Sequence, residues 1–281
     1  MIHKLYKKAI PYIFILPYLI FFVVFMLYPI GFSFSLAFGK YKAGKLLLTG
    51  INNFQYILSD PLFYKALKNT FVMMIIQVPL MTIIALILAC CLNRAQLIGK
   101  GIFRMLIFMP ILMDSVSYSI VFGNFFNNEN GILNNLIRMF GGNGVAWLSV
   151  GWLAKTVLII MITWKWTGYN TVILLSGLQS IPHDLYEAAS IDGASQFSQF
   201  LHVTIPGLRA VLLFSVVNSV NGMLQLFTES FLLTAGGPVN ETLTIVQYLY
   251  SKGFKSFDFG AASAGSYILV IIHRHYYIYS A

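Results

Sequence analysis

Residues 179–206 read QSIPHDLYEAASIDGASQFSQFLHVTIP. Pro182 suits the first turn of a helix and Asp184 suits its positive end. Leu185, Ala188 and Asp192 then fall on one face, with Ala189 beside them. Gly193 stops that helix, because glycine alone enters the left-handed region freely. Ser195 can cap a second helix that carries Phe197, Phe200, Leu201 and Ile205, and Pro206 is placed to start the next segment. The spacing predicts two short helices at an angle. Their small alanines let another protein's groove approach closely, which is the geometry of helix-in-groove docking.

Long apolar runs lie on both sides of this stretch. The chain has 281 residues, 58% hydrophobic, 16% aromatic and 10% charged, with mean hydropathy +0.77. Soluble domains carry about 25% charged residues, so a water-soluble globule is excluded, and disordered chains are apolar-poor. The net charge is +9 and the pI about 9.5, but the charges sit in short clusters between apolar runs, so nucleic acid is not an expected partner. A bilayer core of about 30 Å needs roughly 20 apolar residues in a helix. Uncharged or nearly uncharged runs cover 10–38, 70–92, 105–126 (with Asp114), 156–178 (with Lys165) and 210–235 (with Glu229), and a sixth begins at Gly260. The expectation is an all-α polytopic membrane helical bundle of six transmembrane helices in a single domain over 1–281. The first run is too long for a signal peptide. Cys90 and Cys91 are adjacent inside a run and make no disulfide framework.

Lysine and arginine divide nearly evenly between the two sides, so charge alone orients the chain weakly. Lys4, Lys7 and Lys8 at the start, with Arg94, Lys100 and Arg104 in a short connection, favour a cytoplasmic N-terminus. No Gly-x4-Gly-Lys-Ser/Thr loop, His-Glu-x-x-His or paired Cys-x-x-Cys is present. No ATP site of that kind, no metal set and no catalytic constellation is therefore expected in this chain, so it is not expected to be an enzyme.

The polar residues within the runs are the candidates for a pathway. Ser215, Asn218, Asn221, Gln225 and Glu229 recur every three or four positions, as a polar stripe on one helical face. In lipid such groups face either a water-filled cavity or a hydrogen-bonding neighbour helix, and both readings stay open. Trp166, Tyr169 and Asn170 sit near mid-depth in the fourth run, with Thr163 and Thr167 extending their face. Aromatic faces suit sugar C–H surfaces and amides suit hydroxyls, while Trp and Tyr also serve as packing anchors. Lys165, costly at mid-span, is expected to pair with Asp114 or Glu229, or to snorkel.

Glu187-Ala188-Ala189-x3-Gly193-x9-Val203-Thr204-Ile205-Pro206 resembles the EAA loop of ABC importer permeases, E-A-A-x3-G-x9-I-x-L-P, without a gap. Other stretches resemble the carbohydrate branch, the permeases of maltose and glycerol-3-phosphate importers. These are Asn53-Phe54 through Asp60-Pro61-Leu62-Phe63, Lys68-Asn69-Thr70, Phe108-Met109-Pro110, and Thr234-Ala235-Gly236-Gly237-Pro238 followed by Thr244 and Tyr248. The last is more typical of the F-type than of the G-type partner in maltose importers. The resemblance extends to about residue 268.

The resemblance implies a type I ABC importer permease fold, with a permease core over 70–272 and a cytoplasmic coupling loop over 182–206. It implies a bacterial cell-membrane protein with its N-terminus in the cytoplasm. The expected function is half of the translocation pathway for a sugar or oligosaccharide. The implied partners are a second homologous permease, an ABC ATPase dimer that binds ATP and Mg, an extracytoplasmic sugar-binding protein, and membrane lipid; the chain itself needs no cofactor. Glu187, Ala188, Ala189, Asp192, Gly193 and Pro206 are the implied ATPase-coupling residues. Trp166, Tyr169, Asn170, Asn218, Asn221, Gln225, Glu229, Asp114 and Lys165 are the candidate substrate pathway. A permease for glycerol-3-phosphate or a polyol is an alternative; an ion-coupled secondary transporter using Asp114, Glu229 and Lys165 is another, which leaves the EAA loop unexplained. The last run is the irregular one: Gly260 to Ile272 spans only about 20 Å before His273-Arg274-His275. Either the end is altered relative to the family, or a short span snorkels its charges.

Overall fold

The structure is a computed structural model describing residues 2–42, 45–94 and 98–280, with side chains described at 12–41, 45–94, 98–272 and 274. Apart from one two-stranded hairpin, the regular elements among the described residues are helices. Among the described residues, three helical stretches are long and apolar enough to cross a membrane unbroken: Tyr12–Ala37, Pro61–Asn93 and Gly151–Gln179. Two more qualify only as bent pairs, Lys100–Leu112 with Ser115–Phe125 at 97° and Gln196–Gly207 with Arg209–Leu224 at 68°. The sixth apolar stretch is the shorter Phe259–Ile272. The chain divides into two compact units, Met1–Phe63 with Tyr248–Ala281, and Tyr64–Gln247.

In the first unit, α1 (Ile2–Phe22) passes through a π-helical turn at Val23–Leu27 into α2 (Tyr28–Ala37). The strands β1 (Gly39–Lys42) and β2 (Lys45–Leu48) pair antiparallel and lead to α3 (Asn52–Ser59). A helix end leaves carbonyls without partners. Here buried Asn53 donates to the carbonyls of Leu36, Ala37 and Gly39 at 3.3, 3.1 and 2.8 Å. α15 (Phe259–Ser280) packs on α2 and α3 through small residues, as expected from Ala261-Ala262-Ser263-Ala264-Gly265; Ala261 and Ala264 are fully buried. A Cβ on Gly265 would stand 2.5 Å from Leu249. The α15 backbone stays helical through 273–275; Arg274 is exposed, and the side chains of His273 and His275 lie outside the described residues.

The same unit holds a partly buried ion pair. Asp60 Oδ2 lies 2.8 Å from Lys252 Nζ and accepts from Tyr248 at 2.7 Å, while Oδ1 accepts from the Leu62 amide at 2.9 Å. Burial opposes ionisation of Asp60, but the bonds from Lys252 and Tyr248 outweigh it and hold the carboxyl below its usual range. Burial likewise opposes the Lys252 charge, and the bonds to Asp60 and Tyr56 overcome it and raise the ammonium's pKa. The carboxylate's contribution is complete above the ordinary aspartate range and is lost as pH falls through the depressed value; the lysine's is lost only as pH rises through its raised value. Asp60→Asn is therefore expected to cost about 1–3 kcal/mol at pH 7, and progressively less as pH falls below the ordinary aspartate range. Thermal unfolding of both forms from pH 3 to 8 checks this; equal losses across that range would remove the ion pair from the account.

In the second unit, α4 (Pro61–Asn93), α8 (Gly151–Gln179) and α12 (Arg209–Leu224) supply most of the core. Met73, Met74, Val78, Leu158, Met161, Ile162, Val220 and Met223 make one apolar cluster with Tyr118; Ala85, Ala89, Leu174, Leu178 and Leu208 make another. α5 (Lys100–Phe108) ends in a 3-10 turn at Met109–Leu112 that contains Pro110. Asp114 then caps α6 (Ser115–Phe125), accepting from the amides of Val116 and Ser117 at 3.1 and 3.0 Å. The third run is thus bent at Pro110 and Asp114, because one residue lacks a backbone donor and the other offers the next helix its first acceptor. α7 (Ile132–Met139) and the Asn/Gly-rich connection are organised by buried Asn134, which donates to the carbonyls of Asn127, Asn128 and Val145 and accepts from Val145 N and Trp147 Nε1.

The fifth run departs from its expected continuity over 210–235. α12 ends at Leu224, with Gln225 at its cap, and α13 (Thr228–Thr234) starts after a break. Two asparagines and Gly222 in the last turns of α12 weaken its helical propensity there. The polar stripe is therefore not one helical face: Glu229 stands on a separate helix. After α13 the chain turns through Gly236-Gly237-Pro238, where Thr242 bonds Thr234 Oγ1 and the Gly237 carbonyl, both at 2.6 Å, and leads to α14 (Ile245–Tyr250). Glu241 ties this segment to Lys65 and Lys155 at 3.1 and 2.6 Å.

Candidate functional site

Two places in the second unit gather the candidate residues. The first is α9 (His183–Ile191) together with the chain from Asp192 to Gly207. Pro182 stands at the α9 N-cap, one position before the helix, and Asp184 lies in its first turn. Gly193 has φ +78°, and the Gly193 and Ala194 amides bond back to the carbonyls of Ser190 and Ala189 at 3.1 and 2.9 Å, closing the helix with a left-handed cap. Ser195 caps α10 (Gln196–Gln199) through the Ser198 amide. The chain continues by a π turn at Phe200–Thr204 into α11 (Ile205–Gly207).

Tyr186 and Thr204 hydroxyls meet at 3.0 Å, and Gln199 donates to Ser190 Oγ and the Ala194 carbonyl at 2.9 and 3.2 Å, so the two arms are pinned together. Glu187, Ala188, Asp192 and Gly193 are exposed and Ala189 is half-buried, with Leu185, Ile191 and Phe197 also exposed. Pro206 lies inside α11, so the next apolar helix starts at Arg209 rather than at Pro206. The junction is tight: a Cβ on Gly177 would stand 2.8 Å from Leu208, and one on Gly207 2.8 Å from Ile181. The base of the loop therefore bears directly on α8 and α12.

The second place is a cavity of about 170 Å3 whose wall includes Gln77, Trp166, Tyr169, Asn170, Asn218, Gln225 and Glu229. Six of the nine candidate pathway residues meet there, brought from α8, α12 and α13. Trp166 and Tyr169 stand edge to face, with centroids 5.9 Å apart. Asn170 is buried and held: its Oδ1 accepts from Ser215 at 2.5 Å, and its Nδ2 donates to the Trp166 carbonyl at 3.0 Å. For Ser215 and Asn170, hydrogen bonding between helices is what the structure shows. Glu229 is 9% exposed, and its Oε1 accepts from the Tyr118 hydroxyl and, at 3.4 Å, from Ser115 Oγ.

Asn221, Asp114 and Lys165 are not among the cavity's lining residues. Lys165 forms no ion pair with Asp114 or Glu229 among the described residues; its ammonium donates to the Met113 carbonyl at 2.6 Å and sits 4.3 Å from the centre of the Tyr118 ring. A carbonyl at a helix end and an aromatic face hold the ammonium directly, while Glu229 and Asp114, beyond ion-pair distance, are close enough to interact with its charge. Asp114 is engaged as the α6 cap. Thr163 and Thr167 face a separate apolar groove beside Leu106, Ile107 and Pro110. The reading from sequence missed Gln77 and Met81 on α4; a glutamine within an uncharged run was the available signal.

Comparison with known proteins places the whole chain. It is 39% identical over 274 residues to the lactose transport system permease protein LacF of Rhizobium radiobacter, covering 96% of this chain and 92% of that one. It is 34% identical to the arabinooligosaccharides transport system permease protein AraP of Bacillus subtilis (95% and 85% covered), and 31% identical to the sn-glycerol-3-phosphate transport system permease protein UgpA of Agrobacterium fabrum (95% and 91%). In fold it matches a chain from the crystal structure of a bacterial ABC transporter involved in the import of the acidic polysaccharide alginate, with TM-score 0.86 at 21% identity, over 99% of this chain and 96% of that one. A family model matches residues 70–278, running past residue 268 and through the His273-Arg274-His275 interruption, so the family likeness reaches further than the motifs alone indicate. With that match over most of its length, the chain belongs to the family of binding-protein-dependent transport system inner membrane components.

Proposed function

We propose that this chain is the permease subunit of an ATP-driven ABC importer for a sugar or oligosaccharide. The observation that carries the reading is the convergence of Trp166, Tyr169, Asn218, Gln225 and Glu229 on one cavity, on helices joined tightly to an exposed loop with the EAA spacing. The relatives named for lactose and arabinooligosaccharides support a saccharide. Aromatic faces on the wall stack against the C–H face of a sugar ring, and the amides of Asn218, Gln225 and Gln77 meet its hydroxyls.

A second, homologous permease supplies the other half of the pathway, and an extracytoplasmic binding protein delivers the solute. Glu187, Ala188, Ala189, Asp192 and Gly193 seat α9 on an ABC ATPase dimer, with Pro206 at the loop's base; ATP and Mg belong to that dimer, and this chain is not an enzyme. Closure of the ATPase pair displaces α9. Because Gly177 and Gly207 leave no slack at the junction, the displacement passes to α8 and α12, which carry the cavity wall. With the coupling loop on the ATPase side and four spans before it, the N-terminus is cytoplasmic. Co-purification with the second permease and the ATPase, followed by ATP-dependent sugar uptake in proteoliposomes, tests the reading. Uptake driven by an ion gradient without the ATPase would overturn it in favour of a secondary transporter.

A further inference from the structure

We infer that α7 is an interfacial helix that lies at the outer boundary of the membrane with its apolar face against lipid; the inference rests on reading the coupling loop as the cytoplasmic end. The amphipathicity of α7 is turned inside out. On the helical repeat Ile132, Leu136, Met139 and Phe140 share one arc, and Asn134, Asn135 and Arg138 share the other. It is the polar arc that faces the protein. Asn134 is fully buried and holds the carbonyls of Asn127, Asn128 and Val145. Arg138 donates to the Glu129 carbonyl at 2.7 Å and Asn135 to the Asn130 carbonyl at 3.4 Å. The four apolar residues are all exposed, Met139 at 81% and Phe140 at 90%. A helix resting on a core and facing water has the reverse arrangement.

Depth decides what covers that arc. α8 has 29 residues, about 43 Å of helix, which matches a bilayer core with both headgroup layers. Its far end enters the coupling loop, so its near end at Gly151 reaches the opposite boundary. Trp152, exposed in the first turn of α8, is a residue type that gathers at headgroup level. Asn134 ties α7 to the residues just after α6 and just before α8, so α7 is held at that same level. The connection over 127–150 carries one acid, Glu129, and one base, Arg138, and so offers no charged surface to steer a soluble partner. A binding protein that delivers solute and departs would bare the arc to water in every cycle, whereas lipid covers it throughout.

The test uses the assembled importer in proteoliposomes, with Cys90→Ala and Cys91→Ala removing this chain's native thiols. Leu136→Cys and Phe140→Cys each place a nitroxide label on the apolar arc, and Arg138→Cys places one on the opposite, polar arc. The same importer without an introduced cysteine gives the background. Collision of each label with oxygen, which enters lipid, is compared with collision with a water-soluble nickel chelate. The oxygen-to-nickel ratio at positions 136 and 140 is expected to exceed that at position 138 by about threefold or more, and to stay unchanged when saturating binding protein is added. A ratio no higher on the apolar arc than on the polar one would overturn the inference. So would nickel access at position 140 that the binding protein abolishes, which marks the arc as that protein's dock. Labels on the arc closed to both reagents would overturn it too, and would mark cover by the second permease. Each of these results leaves the importer reading intact, whereas solute uptake that needs no ATPase would sink that reading and leave the collision ratios standing.

Discussion

Gly193→Val is expected to abolish solute uptake by the assembled importer and to release the ATPase during purification. Nothing lies within 4 Å of where a Cβ at Gly193 would stand, so no clash is involved. The cost is conformational. With φ at +78°, Gly193 closes α9 and turns the chain toward Ser195, and a β-branched residue in that region is disfavoured by about 1–3 kcal/mol. The loop is exposed and short, so it has little burial with which to resist. A shift of about 2 kcal/mol would reduce the bent form by roughly thirtyfold. Gly193→Asn separates conformation from side-chain bulk, since asparagine tolerates the left-handed region, and it is expected to keep most uptake. Normal uptake and normal ATPase co-purification in Gly193→Val would show that α9 does not need this turn to couple.

Gly168→Ala is expected to be more damaging than its single methyl suggests. A Cβ there would run into the Ile107 carbonyl and stand 3.1 Å from the Phe108 Cα. Both are backbone atoms, so no rotamer change relieves the clash and α5 must move off α8. Overpacking of this kind costs about 1–3 kcal/mol, and more where backbone resists. The displacement also strains the nearby anchor of Lys165 on the Met113 carbonyl. Gly101→Ala is the matched control: it lies on α5 with nothing within 4 Å, and it should be neutral or gain up to about 1 kcal/mol. The comparison is the thermal midpoint of the detergent-solubilised complex. Indistinguishable midpoints for the two variants would mean that the two helices are not in backbone contact.

The loop was legible because its determinants are local. Asp184 in the first turn, Gly193 at a left-handed position and Ser195 at a cap act within a few residues of themselves. The aromatic and amide residues of α8 were legible for a similar reason, since polar groups in an apolar run must face something other than lipid. The charged residues were legible only in part. From spacing alone Lys165 is left to pair with Asp114 or Glu229 or to snorkel. In the fold each bonds directly to backbone, Lys165 to a carbonyl at a helix end and Asp114 to the amides of the helix it starts. The stripe from Ser215 to Glu229 failed as one face because it presumed an unbroken helix across Gln225.

By itself, then, the sequence determined that this is a chain of apolar helices carrying one exposed helix–turn–helix, because hydropathy and capping are read residue by residue. Only the tertiary structure decided which polar residues share a cavity. That depends on the 97° bend near Asp114, on the break after Leu224, and on the close approach at Gly168 and Gly177, where a hydrogen atom in place of a methyl group sets how near two helices come. Glu229 shows the difference most clearly. Its charge is evident from the sequence, but only the fold sets Tyr118 and Ser115 on its Oε1 and the Lys165 ammonium on the face of that same Tyr118 ring.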